Sequence, residues 1–132
     1  MEIKVKTILL IVLILLLALF KIACKSDAED ENDLLRKNWI HSYEEDTTDT
    51  MIFRPSNYRK FSSSRFRQIF EFKNDDSCQY LVPAADDDHY MESGKWQYDP
   101  SEKKLQIESL DNKKVFDYRV IQLKKNILAI VK

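Results

Sequence analysis

The stretch GKWQYDPSEKKLQIESLDNKKVFDYRVIQLKKNILAIV, Gly94–Val131, decides the fold class. In KWQYD, Trp96 and Tyr98 point one way while Lys95, Gln97 and Asp99 point the other, which is the two-residue period of a half-buried strand. DPSEKK is a turn by composition, and LQIES then keeps Leu105 and Ile107 on one side. LDNKK turns again into VFDYRVIQL, where Phe116, Tyr118 and Val120 share a face, and KKN leads into ILAIVK. Turn signals about every 8–12 residues between alternating segments describe an antiparallel meander.

The same period extends toward the N-terminus. WIHSYE alternates with Trp39, His41 and Tyr43 on one face, and MIFR follows until Pro55 stops it. RFRQIFEFK sets Phe66, Phe70 and Phe72 against Arg67, Glu71 and Lys73. NDDS turns into CQYLV, which places Cys78, Tyr80 and Val82 together, and PAADDDHYMES reads as a long polar loop. Ahead of these strands, DLLRKNW fits one or two helical turns with Asp33 as the N-cap. No strand–helix–strand spacing occurs, so a parallel sheet is not expected. The expected fold is all-β: a small antiparallel up-and-down barrel of about eight strands, because closure removes exposed edges. An open sandwich is the competing architecture. The inward stripe (Trp39, Phe70, Phe72, Tyr80, Trp96, Tyr98, Phe116, Tyr118) either fills the barrel or lines a cavity, and a barrel of this size allows both. So many large rings favour filling.

Residues 7–20, TILLIVLILLLALF, are fourteen uncharged residues between Lys6 and Lys21. A spanning helix needs about 20 apolar residues and a signal-peptide core about 7–15, so an export signal fits better. An uncleaved single-pass anchor, with Lys6 and Lys21 snorkelling, is the alternative. The chain therefore divides into a signal peptide or anchor (1–23), an acidic solvated tether (24–33) and a barrel domain (34–132). Removing residues 1–23 takes three lysines and one glutamate from 21 basic and 22 acidic side chains, leaving a domain with a net charge of −3. That balance, together with export, argues against nucleic-acid binding.

The chemistry-bearing residues are few. Cys24 and Cys78 could form one disulfide in an oxidising compartment, but a lipidated Cys24 would leave Cys78 alone as a small buried hydrophobe. DDDHYMES gathers Asp86, Asp87, Asp88, His89 and Glu92, yet consecutive acids do not converge as a calcium loop requires. His41 and His89 have no zinc-ligand spacing, so neither a metal nor a cofactor is expected. No nucleophile elbow, metalloprotease motif or glycine phosphate cradle is present, and one glycine in the chain excludes tight cradles; no enzymatic activity is expected. The most unusual stretch is FRPSNYRKFSSSRFR, Phe53–Arg67, which carries five basic residues, no acid, and interleaved aromatics. Arg54, Arg59, Arg65 and Arg67, with Tyr58 and with Trp96 at a barrel mouth, form the candidate site for a small amphiphilic or anionic ligand. Arginine suits such groups because its fork hydrogen-bonds two oxygens at once. The plainer reading is a rim segment whose arginines pair with the acids of EED or DDD.

LLRKNWIHSYEE, GKWQYDPSEKKLQIESL and FDYRVIQLKKNILAI resemble bacterial lipocalin-like domains, a group of small lipoproteins abundant in Bacteroidetes. The resemblance covers residues 34–132. Lipocalins carry Gly-x-Trp on the first strand; here it stands at Gly94–Trp96, so the resemblance implies a barrel but transfers no ligand-binding residues. IAC, ending at Cys24, resembles the end of a lipoprotein box, with Lys21 in place of the usual Leu or Val, and CKSDAEDEND resembles a surface-export signal. These similarities imply a monomeric outer-membrane lipoprotein of the cell envelope, lipidated at Cys24. Its expected role is to bind a small ligand. The alternative is a structural or interaction protein with a filled barrel that meets a protein or glycan through the arginine segment.

Overall fold

A computed structural model describes residues 2–22, 29–64, 67–83 and 89–131. Helix α1 covers Glu2–Ile22 and helix α2 covers Glu31–Leu35. The strands are β1 (Asn38–His41), β2 (Met51–Pro55), β3 (Ile69–Phe72), β4 (Ser77–Pro83), β5 (His89–Asp99), β6 (Lys104–Ser109), β7 (Lys114–Lys124) and β8 (Ile127–Val131). All neighbours pair antiparallel, and the sheet closes in the order β1-β2-β8-β7-β6-β5-β4-β3. In α1, the side chains of residues 4–15 are exposed. Among the described residues no helix is long and apolar enough to cross a membrane.

The alternating segments become these strands, but the strict up-and-down order does not hold. Strands β3 to β8 follow one another around the wall, whereas β1 lies between β2 and β3. The β2–β3 connection, described at residues 56–64 and 67–68, is therefore a strap that steps across β1. A strand of only four residues is short enough for such a segment to cross. The exchange sets Phe53 opposite Leu128 and Met51 opposite Ile130, so β2 joins its apolar face to that of β8.

Two other boundaries move. Asp30, not Asp33, caps α2: its carboxylate accepts the Asn32 N–H at 3.0 Å. The helix begins inside the segment expected to be tether, because Glu31 accepts bonds from Tyr98 Oη and Lys103 Nζ, both at 2.5 Å. HYMES, read as loop, is the first half of β5, where its pairing with β4 supplies the order that its own polarity does not. Residues 84–88, including Asp86, Asp87 and Asp88, lie outside the described residues, as does Cys24.

The interior is filled with rings. Phe53, Phe70, Phe72 and Trp96 form a chain with centroid separations of 5.3, 5.7 and 5.1 Å. Phe116 meets Phe70, Tyr80 and Tyr118 at 5.2, 5.6 and 5.5 Å. Such edge and offset contacts add to the burial energy of the rings. Trp39 and Trp96 satisfy their indole N–H groups on the carbonyls of Leu35 and Lys73. Gly94 faces the same interior. A Cβ there would collide with the Glu108 carbonyl oxygen and stand 3.0 Å from the Tyr80 ring, so the gap in the stripe is what admits that ring. With glycine so scarce, the hairpin turns place Asp76, Lys103 and Asn112 in the left-handed region, at φ 62, 54 and 61°.

Candidate functional site

The strap and the β1–β2 connection lock together through charges. After β1, Ser42 makes no side-chain cap and the chain makes a single 3-10 turn at Tyr43–Glu45, which aims Glu44 at the strap and Glu45 at the end of β2. Arg67 is 5% exposed. Its Nη2 and Nη1 donate to the two carboxylate oxygens of Glu44 at 2.6 and 3.0 Å. Nη1 also donates to the His41 carbonyl at 2.8 Å, Nε to the Ser62 carbonyl at 3.1 Å, and Nη2 to Ser62 Oγ at 3.2 Å. Every N–H of this guanidinium is thus committed. The rings of Tyr43 and Phe61 cover it at 4.4 and 5.3 Å.

Arg54 repeats the fork on Glu45, at 2.6 and 2.9 Å, reaches the Asn126 carbonyl at 3.0 Å, and lies over Tyr58 at 4.5 Å. Arg59 donates from Nη2 to Ser42 Oγ at 2.8 Å and to Glu44 at 3.0 Å, and lies over Phe61 at 4.7 Å. Asp46 completes the acidic run: one oxygen is 2.8 Å from His41 Nε2 and the other accepts the Ile52 N–H at 2.8 Å. The arginines hold both glutamates far below the usual carboxylate range. Hydrogen bonds from Arg67 bring Glu44 to about 2, and hydrogen bonds from Arg54 bring Glu45 to about 2. The same bonds raise Arg54 and Arg67.

The structure therefore brings Arg54, Arg59, Arg67 and Tyr58 together on the outer wall over β1 and β2. It does not bring Trp96 to them: that ring is 3% exposed and faces the interior. Arg65 lies outside the described residues. An anion arriving at Arg54 or Arg67 would have to displace a bidentate carboxylate already in place. Glu44, Glu45 and Ser42 are the partners that sequence reasoning did not assign individually. The signal for them was an acid-free basic run preceded closely by the acids of EED.

Beside the strap lies a cleft of ≈ 450 Å³ with an apolar floor of Ile40, Ile69 and Leu81, a Phe61 wall, a rim of Ser62 to Ser64, and His89 at one end. The floor residues are directly registered neighbours, Ile40 with Ile69 across β1–β3 and Ile69 next to the Phe70–Tyr80 pair that sets Leu81 beside it. Two polar grooves, of ≈ 380 and ≈ 260 Å³, lie elsewhere, around Gln97 and Gln106 and around Lys103 and Arg119. Cys78 is free, and burial pushes its thiol up to about 11, which is the opposite of an activated nucleophile. Among the described residues no group of three or more His, Cys, Asp or Glu is placed to hold a metal ion. Comparison with protein-family models, with curated proteins and with solved structures finds no match to this chain.

Proposed function

We propose that this chain is a lipocalin-like, non-enzymatic protein of the cell envelope, held to the membrane through Cys24 or α1, whose barrel is a filled scaffold. Its working surface is the outer wall beside the strap, where it meets a protein or glycan partner. The observation that carries this reading is the ring-packed interior, in which Trp39, Phe53, Phe70 and Tyr80 are at most 1% exposed. A barrel whose inward side chains meet across its axis leaves binding to the outside. The internally paired arginines act as braces that hold the strap in place, and the strap presents Phe61, Tyr58 and the serine rim.

The experiment is photo-crosslinking in intact cells with a reactive side chain at Phe61 or at Leu81, against Gln106 on the far wall. Macromolecular adducts at the first two positions and none at the third are expected. Native mass spectrometry of the full chain released from detergent supplies the opposing outcome: a small molecule retained stoichiometrically, and lost when Phe116 is replaced by Trp, would place the ligand inside the barrel and overturn the proposal. A second reading, a small amphiphile on the outer wall, is favoured by the apolar floor and hydroxyl rim of the ≈ 450 Å³ cleft. It separates from the first by the mass of the adduct.

A further inference from the structure

Barrel closure is complete at the level of the short strands and incomplete above them. β5 has eleven residues and β6 has six. β5 pairs with β4 along its upper part, from Pro83↔His89 to Ser77↔Lys95, but its pairing with β6 starts only at Gly94↔Ser109. On the side away from β4, residues His89 to Ser93 thus have no strand beside them among the described residues. The direction of their backbone groups follows from the alternation along a strand. Trp96 donates its N–H to the Asp76 carbonyl, at the start of β4, so even-numbered residues of β5 face β4. The N–H and C=O groups of His89, Met91 and Ser93 face the open side.

Natural edges of this kind are usually blunted by lysine, proline, a bulge or a covering segment. Among the described residues this one has none of them: the residues are His89, Tyr90, Met91, Glu92 and Ser93, with Tyr90 and Met91 53% and 38% exposed. The outer wall leads to it. Ile40, Ile69, Leu81 and Met91 follow one another across β1, β3, β4 and β5 in a single registered row, with Leu81↔Met91 its last pair, and the row ends at the open edge.

We propose that two copies of this chain join by antiparallel pairing of their β5 edges about a two-fold axis at Met91. Met91 then faces Met91 of the second copy in a pair that exchanges both backbone bonds, and His89 faces Ser93. About six inter-chain hydrogen bonds use every open group on the two edges. Tyr90 falls opposite Glu92, so no like charges are opposed. The two apolar rows merge into one that runs from Ile40 of one copy to Ile40 of the other. A dimer of this kind departs from the monomer that the resemblance implies. The proposal rests on this strand edge and not on the partner-binding reading above, and the two fail independently.

The test measures the dimer fraction of the full chain in detergent by native mass spectrometry across a dilution series. Met91→Pro removes the open N–H while leaving the β4 pairing intact, and Met91→Lys opposes two like charges; each is expected to lower the dimer affinity by about tenfold or more. Met91→Leu, which keeps the backbone donor and an apolar side chain, is expected to match the parent. Thermal melts check that each variant is folded. Should the proline variant not fold, oxidation of Met91→Cys decides, because the Cα atoms of a hydrogen-bonded antiparallel pair are about 5.5 Å apart and within disulfide range. That residue is expected to cross-link to itself, and Val115→Cys, on β7 beyond β6, is not. A parent that stays monomeric at every concentration overturns the proposal. So does a dimer indifferent to residue 91, which would place association in α1.

Discussion

Replacing Arg67 by methionine keeps the bulk and stem of the side chain and removes its fork. The variant loses two bonds to Glu44, two to Ser62 and one to the His41 carbonyl. The Glu44 carboxylate is 36% exposed and regains water, so the ion pair itself adds little. The three bonds to His41 and Ser62 oxygens are worth about 1 kcal/mol each, which puts the expected loss at about 3 kcal/mol. For a domain of about 100 residues each kcal/mol moves Tm by about 4–8 °C, so the melting temperature falls by about 12–24 °C. Arg59 bonds the same glutamate from a position 38% exposed, and Arg59→Met is expected to cost at most about 1 kcal/mol. Circular dichroism melts and urea titrations of the two variants decide the matter side by side. Arg67→Lys, which restores charge without the fork, should recover less than half of the loss. An Arg67→Met variant that melts within about 4 °C of the parent would refute the bracing role and return the arginines to ligand binding.

Further perturbations probe other parts of the fold. Glu44 and Glu45 have folded pKa values of about 2 against about 4.5 in the unfolded chain, so their stabilisation is complete above pH 4.5 and drains away as pH falls toward 2. Acid titration followed by fluorescence should show that loss, and Arg67→Met should flatten it. Gly94→Ala drives a methyl group into the Glu108 carbonyl and is expected to cost about 2–3 kcal/mol; Tyr80→Leu should not rescue it, since the backbone collision remains. Asp76→Gly relieves a left-handed residue in the β3–β4 turn and should raise stability by about 0.5–1 kcal/mol, read as an increase in Tm. Cys78, with its thiol raised to about 11, should resist iodoacetamide at pH 8 until the protein unfolds.

The strands were legible because alternation and turn chemistry are local. Trp96 with Tyr98, or Leu105 with Ile107, declare a buried face within five residues. Strand order is not local. β2 carries Met51 and Phe53 on its inward face, a pattern that suits β8 as well as β3, and nothing in MIFR says which neighbour it takes. HYMES was missed for a related reason: Tyr90 and Glu92 share one face and Met91 and Ser93 the other, so neither face is apolar, and the β4 partner makes the strand. At the candidate site, the need of an acid-free basic run for acidic partners was readable. That Arg67 would be buried and Arg59 exposed was not, because it depends on where the strap lies. The barrel-mouth expectation for Trp96 conflicts with its place in the inward stripe, which already argues that it belongs to the core.

The exchange of β1 and β2 explains why this segment is basic and its neighbour acidic. A strap crossing the outside of a barrel has one side in water and cannot be held by a continuous apolar face, since apolar residues enough to hold it would expose a patch when it lifted. Hydrogen-bonded ion pairs solve that problem. Arg54 and Arg67 tie the beginning and end of the crossing to adjacent glutamates on one 3-10 turn, so the two ends of the strap are fixed to the same short element. Between those ties Arg59 adds bonds to Ser42 and Glu44, Ser62 accepts two from Arg67, and Phe61 lines the cleft over the apolar row of Ile40, Ile69 and Leu81. A strap braced at both ends and again at Arg59 and Ser62 presents a fixed surface without needing a cavity. The same geometry confines any exchange of Glu44 or Glu45 for a neutral residue to a predictable result: the strap loosens, the crossing over β1 is exposed, and the filled interior stays as it was.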